Sequence, residues 1–181
     1  NYLETINRQI KDIENLVNEF SSFARMPSPI MKKINIVNVV KRAVDFIKMS
    51  SNNVINFENK KEKYVINGDE EQLYRVFINL IKNSEESFIE KKGKKADFKG
   101  KIDVEIVKNN DYIVIRLTDN GGGITDTKKV MTPYFTTKKN GTGLGLPIVT
   151  KIINEHSGDF IINNKKENEG VEILISLPSI N

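Results

Sequence analysis

The segment from Asp119 to Gly145 holds six of the chain's 11 glycines. It reads Asp-Asn-Gly-Gly-Gly-Ile, then a spacer, then Pro-Tyr-Phe-Thr-Thr-Lys, then Gly-Thr-Gly-Leu-Gly-Leu. Residues without a Cβ let the backbone turn sharply and approach a partner closely. Two such clusters do not belong in the interior of a helix or a strand. They restrict the fold to one in which a strand ends at Asp119, a helix begins near Gly145, and an irregular cover joins them.

Both flanks fit. Tyr112 to Thr118 is aromatic, β-branched and apolar, and reads as a strand. Burying Asp119 at its end is costly unless something donates to it, and the exocyclic amine of adenine is one such donor. On Asp-Asn-Gly alone, an Asx turn ending the strand is the simpler reading. Beyond Gly145, helical spacing runs through Pro147, Ile148, Val149, Ile152 and Ile153. Thr142 is a candidate N-cap, and the helix amides behind it would face an anion. A flexible loop is the bland alternative, and phosphate binding requires the Asp119 segment beside this one in space.

A third element lies upstream. Glu70 to Phe88 places Leu73, Val76, Phe77, Leu80 and Ile81 at helical spacing. Asn79 and Asn83 are one turn apart and share a face. Two such amides are ordinarily solvated. On a helix flank lining a nucleotide pocket, an amide oxygen can instead join the shell of Mg²⁺, which takes oxygen ligands and keeps several waters.

The remaining chain reads as follows. Leu3, Ile6, Ile10, Ile13, Val17, Phe20 and Ala24 form an a/d seam, expected to pair in a coiled-coil-like helix; Asp12 and other charged residues lie off it. A single helix packed on the main domain is the alternative. Pro27 and Pro29 end the helix and open a hinge. Ile36 to Met49 is helical, with Asn35 or Asn38 as cap. Val54 to Phe57 and Tyr64 to Ile66 are expected to pair with each other. Asp69 is placed to cap the Glu70 helix. Lys91 to Lys101 reads as a solvated loop; with Phe98 as its only aromatic it offers no stacking series, so a nucleic-acid partner is not expected. Two hairpins follow, Ile102–Val107 with Tyr112–Thr118, and Phe160–Ile162 with Val171–Leu177. Sequential strands in hairpins imply an α+β fold rather than a doubly wound parallel sheet. The chain has no cysteine, which excludes disulfides and thiolate metal sites, and no run long enough to span a membrane. Its net charge of +4 suits an anionic ligand. There is no P-loop sequence and no protein-kinase motif set.

Taken together, these segments resemble a family. Asn79-Leu-Ile-Lys-Asn83 resembles an N box, Asp119-x-Gly121-x-Gly123 a G1 box, Pro133-Tyr-Phe135-Thr-Thr-Lys138 an F box, and Gly141-Thr-Gly143-Leu-Gly145-Leu a G2 box. In order and spacing they are similar to the ATP-binding catalytic domain of sensor histidine kinases, in the GHKL superfamily. Asn18-Glu-Phe-Ser-Ser-Phe-Ala-Arg-Met-Pro-Ser-Pro also resembles the end of the dimerisation region in NtrB- and NtrY-type nitrogen-regulation kinases.

The resemblance implies a Bergerat fold: a two-layer α/β sandwich, a mixed sheet with helices on one face, preceded by the long coiled-coil-like helix. It implies three parts: residues 1–26, the second helix of a dimerisation bundle; 27–34, the hinge; and 35–181, the ATP-binding catalytic domain. The implied cofactors are ATP and Mg²⁺. Asp119 would accept from the adenine amine, with Gly121 and Gly123 shaping the adenine slot. Asn83 would ligate the metal, and Asn79 would line the same pocket. Gly141, Thr142, Gly143, Leu144 and Gly145 would form the phosphate loop. Phe135 and Thr137 would belong to the lid, with Phe135 packing it on the core, and Lys138 would neutralise the γ-phosphate. Asn79 and Lys138 are the implied catalytic residues.

The implied activity is a protein histidine kinase of a two-component system. It would pass phosphate to a bundle histidine and on to a response-regulator receiver domain, as a homodimer through the N-terminal helix. A cytoplasmic location is expected, with any membrane anchor of a parent protein in segments outside this sequence. The only histidine, His156, matches a structural position, so self-phosphorylation of this sequence is not expected. Hydrolytic relatives such as gyrase carry a glutamate base where Asn79 stands, and asparagine has no useful basicity. Family members often carry a basic residue one turn after the metal asparagine; here that turn holds Glu85 and Glu86. The alternatives are an anti-sigma-type serine kinase, and a nucleotide-sensing or dimerisation module without transfer activity.

Overall fold

In the computed structural model of the chain, the described residues are all except 1, 62, 95, 96, 139, 140, 166–168 and 181; the side chains at 12, 15, 16, 18, 19, 22–24 and 94 also lie outside the description. Four helices and seven strands are described. They are α1 (Tyr2–Ala24), β1 (Lys32–Asn35), α2 (Ile36–Lys48), β2 (Val54–Asn59), β3 (Val65–Gly68), α3 (Glu70–Lys94), β4 (Lys101–Asn109), β5 (Tyr112–Asp119), α4 (Gly145–Glu155), β6 (Asp159–Asn164) and β7 (Val171–Pro178).

Five strands make one mixed sheet in the order β2-β4-β5-β7-β6; β2 runs parallel to β4 and the other neighbours are antiparallel. Alternation decides which face is buried. Ile102, Val104 and Ile106 on β4, Ile113, Ile115 and Leu117 on β5, and Val171, Ile173, Ile175 and Leu177 on β7 point into the core. The opposite face is polar, with Arg116 paired to Glu105 at 3.3 Å and to Glu172 at 3.4 Å. Helices α2, α3 and α4 bury their apolar stripes in the same core, which makes two layers.

Local chemistry fixes the helix starts. Asn35 caps α2, its Oδ1 accepting from Val37 N at 3.2 Å and from Tyr64 N at 3.0 Å. Asp69 caps α3, its Oδ1 accepting from Glu71 N at 3.0 Å and Gln72 N at 3.1 Å. Arg42 on α2 stacks on Tyr74 and bridges to Glu70 and Glu71, which clamps the two helices together.

Three expectations are corrected. The segments around Val54 and Tyr64 are strands but do not pair with each other. β2 joins the main sheet beside β4, and β3 pairs antiparallel with β1, a strand that begins inside the segment read as a hinge. An intervening turn favours a hairpin locally, but the parallel edge beside β4 buries Ile55. Helix α3 also runs past Phe88 to Lys94, into the segment expected to be a loop from Lys91, and Lys91 ties its end to the neighbouring turn. At the glycine turn, Leu144 rather than Thr142 is the N-cap of α4, because the helix begins at Gly145; Thr142 Oγ1 accepts from Leu144 N at 3.4 Å, a bond within the turn that precedes the helix.

The Tyr2–Ala24 segment is an α-helix, α1, and Leu3, Ile6, Ile10, Ile13, Val17 and Phe20 stand exposed along it. Ala24 and Asp12, at the end of that seam and off it, have side chains outside the described residues. Among the described residues no helix is long and apolar enough to cross a membrane.

Candidate functional site

Strand β5 delivers Asp119 to the edge of the core, where its side chain is 5% exposed. A buried carboxylate needs donors, and it has three. Ser84 Oγ donates to Oδ2 at 2.9 Å; Gly121 N and Val171 N donate to Oδ1 at 2.8 and 3.2 Å. An ionised carboxyl group offers about four acceptor positions, so Oδ2 retains one. Gly170 closes over the same residue: its φ is +110°, and a Cβ there would stand 2.0 Å from the Asp119 carbonyl oxygen.

The turn after Asp119 is tied down from α3. Lys91 Nζ donates to Asn120 O at 2.8 Å and Gly121 O at 2.9 Å, and lies 5.0 Å from the Phe98 ring. Phe98 packs against Phe88 with centroids 5.8 Å apart, so the single aromatic of the lysine-rich segment is spent inside the protein. Gly123 follows with φ +73°. Asn164 on β6 then holds the start of the cover, accepting from Ile124 N at 2.7 Å and donating to Ile124 O at 2.6 Å; Ile124 packs on the core.

The cover folds back onto the glycine turn. Tyr134 N donates to Gly143 O at 3.1 Å. Gly143 has φ +69°, and a Cβ there would meet the Tyr134 carbonyl carbon at 2.5 Å and Phe135 N at 2.7 Å, so only glycine fits. Phe135 is half-buried, and Leu144 is fully buried at the start of α4. A Cβ on Gly145 would lie 3.9 Å from Asn83 Nδ2, which sets the N-terminus of α4 beside the amide flank of α3. Lys138 Nζ donates to Asn83 Oδ1 at 3.2 Å and to Glu86 Oε2 at 2.5 Å.

The four motif segments are therefore joined by named contacts. Ser84 links the α3 flank to Asp119, Lys138 links the cover to Asn83, and Gly143 links the cover to the glycine turn. Asn79 is half-buried one turn before Asn83, and Thr137 is exposed on the cover. Neither is joined to the others by a side-chain hydrogen bond among the described residues. Thr142 and Gly141 are half-buried in the turn, where Gly141 N donates to Lys138 O at 3.2 Å. Sequence reasoning missed Ser84, Lys91, Asn164 and Gly170. Ser84 adjoins Asn83 in the chain and was the one within reach.

His156 lies away from this cluster and is 3% exposed. Asp69 N donates to its Nε2 at 2.8 Å, so Nδ1, 2.8 Å from Ile152 O, carries the hydrogen. Both ring nitrogens are engaged, as a structural histidine requires. Burial alone would raise the Asp69 pKa, but donors from Ile30, Gln72 and Glu71 together hold it below the ordinary carboxylate value.

Residues 68–181 match the family model described as histidine kinase-, DNA gyrase B-, and HSP90-like ATPase. An NtrY-like sensor histidine kinase homologue of Rickettsia conorii is 39% identical over 97% of this chain and 28% of its own length. The nitrogen regulation protein NtrY of Azorhizobium caulinodans is 32% identical over 96% of this chain and 23% of its own. The chain thus spans about a quarter of the length of these curated relatives. Among solved structures, the catalytic domain of histidine kinase ThkA superposes with a TM-score of 0.70 at 26% identity, covering 82% of this chain and 95% of that one. Full-length ShkA shares the fold, with a TM-score of 0.78 at 17% identity, over 98% of this chain and 38% of its own. The family match covers well over half of the sequence, and the chain belongs to the histidine kinase-, DNA gyrase B- and HSP90-like ATPases.

Proposed function

We propose that the chain is the ATP-binding catalytic part of an NtrY-type, two-component sensor histidine kinase. The observation that carries the reading is the set of contacts that joins four separated segments, from α3, the end of β5, the cover and the N-terminus of α4. Residues 35–181 form the catalytic domain. Residues 1–26 are the second helix of a dimerisation bundle through which two copies pair, and 27–34 are the connection. The γ-phosphate goes to a histidine on a partner helix of that bundle, and from there to an aspartate of a response-regulator receiver domain.

The residues fit the ligand. The remaining acceptor position on Asp119 Oδ2 suits the amine of adenine, and guanine would present a carbonyl oxygen there instead. Gly121 and Gly123 shape the slot for the ring. Asn83 Oδ1 already accepts from a cation, the ammonium of Lys138, and a hard oxygen of this kind suits Mg²⁺. Gly141, Thr142, Gly143, Leu144 and Gly145 form the phosphate loop at the start of α4, where the helix dipole favours phosphate. Phe135 and Thr137 belong to the lid, and Lys138 is its positive charge. Bound Mg-ATP supplies the transferable phosphoryl group; this chain positions it and neutralises its charge. Asn79 lines the pocket without acting as a base, so transfer to a protein side chain is favoured over hydrolysis.

Calorimetric titration with ATP and Mg²⁺ tests the site. Binding lost in Asp119→Asn, and metal dependence lost in Asn83→Ala, is the expected result. Transfer is tested separately, with a histidine-bearing bundle helix supplied in trans. Binding without any transfer would leave a nucleotide-sensing module as the better reading.

A further inference from the structure

Asn83 and Glu86 stand three residues apart on one flank of α3, and their oxygens converge on a single ammonium. Lys138 Nζ lies 3.2 Å from Asn83 Oδ1 and 2.5 Å from Glu86 Oε2. The other carboxylate of this turn is committed elsewhere: Glu85 accepts from Ser51 Oγ and Asn53 Nδ2, both at 2.8 Å. Glu86 is half exposed and pairs with the lid lysine. The lysine is carried by a lid turn closed by Lys138 N on Thr136 Oγ1 at 3.1 Å.

We propose that Glu86 is a positioning residue that makes nucleotide binding conditional on the metal, by holding Lys138 against Asn83 until a divalent ion claims that oxygen. The inference rests on the nucleotide reading above. A magnesium ion sits about 2.1 Å from an oxygen ligand. An ammonium 3.2 Å from the same oxygen would then share its immediate surroundings with a second, doubly charged cation. Two cations at such separations repel each other even near a protein surface, so the metal's arrival at Asn83 disfavours the lysine there. When the metal enters, Lys138 leaves and its charge becomes available to the phosphates. Glu86 then remains beside positive charge, now that of the metal. Without the metal, phosphate would meet a carboxylate and a lysine already neutralised by it.

The test is ATP affinity measured in Mg²⁺ and in excess chelator for wild type, Glu86→Gln, Glu86→Asp, Lys138→Ala and the double variant Glu86→Gln/Lys138→Ala. Glu86→Gln is expected to strengthen metal-free binding by about two- to fivefold, the range of one partly exposed ion pair. The enhancement by Mg²⁺ shrinks accordingly, and Glu86→Asp retains wild-type behaviour. Most of the gain disappears when Lys138 is already alanine, because the two residues act through one contact. Limited proteolysis without ATP supplies a second readout, with faster cleavage of the lid in Glu86→Gln. The same metal enhancement in Glu86→Gln as in a wild type that binds Mg-ATP would overturn the proposal. A wild type that binds no ATP under either condition would overturn the nucleotide reading instead, and this proposal with it.

Discussion

Ser84 Oγ donates to Asp119 Oδ2 across 2.9 Å, and both side chains are buried. The hydroxyl stands one residue after the asparagine proposed as metal ligand, and the carboxylate is the proposed base anchor. One bond therefore fixes the α3 flank relative to the end of β5. Ser84→Ala removes a donor from a buried carboxylate, which costs about 1–3 kcal/mol. Urea unfolding should show a lower midpoint with an unchanged slope.

The glycine turn offers a sharper contrast. Gly143→Ala forces a Cβ onto the Tyr134–Phe135 backbone at a φ of +69°. The expected loss is about 1–3 kcal/mol for the backbone conformation, with the clash added. Gly122 has open space around its Cβ position, so Gly122→Ala should leave the melting temperature within a degree or two. Thermal unfolding of the two variants side by side checks this.

Acid sensitivity should report on Asp69. Its folded pKa lies below the ordinary 3.8, so the folded state binds its proton less readily than the unfolded state does. That contribution to stability is complete above the ordinary value and is lost as pH falls through the depressed folded one. Asp69→Asn should therefore be less stable than wild type at neutral pH, with the gap narrowing below about pH 4. Denaturant midpoints measured from pH 7 to pH 3 would show it.

His156 bridges Asp69 on one side and Ile152 on the other. His156→Ala leaves a backbone donor and a carbonyl without their partner and opens a cavity, a loss of about 2 kcal/mol or more. Incubation of the wild type with γ-labelled ATP should give no acid-labile label on this residue, because neither ring nitrogen faces solvent.

Much of this was legible in the chain itself, for identifiable reasons. The β4–β5 and β6–β7 hairpins and the caps at Asn35 and Asp69 depend on neighbours a few residues away. The four motif segments announce themselves by glycine and amide spacing. What could not be read depends on distance along the chain. Nothing near Val54 says that it will lie beside Lys101, and nothing near Gly170 says that it will roof Asp119. Lys91 looked like one more lysine in a polar run. Its role appears only once the Asn120–Gly121 carbonyls are beside it.

The β6–β7 hairpin also has a consequence for biosynthesis. Val171 N supplies one of the donors to Asp119, and Gly170 packs over its carbonyl. A nascent chain whose β7 is still inside the ribosome can have formed β4, β5 and α3, yet Asp119 then lacks one of its donors. Stabilisation by a ligand requires a site that binds it. On the proposed nucleotide reading, a ligand would therefore favour the finished domain fully only after residue 171 has emerged.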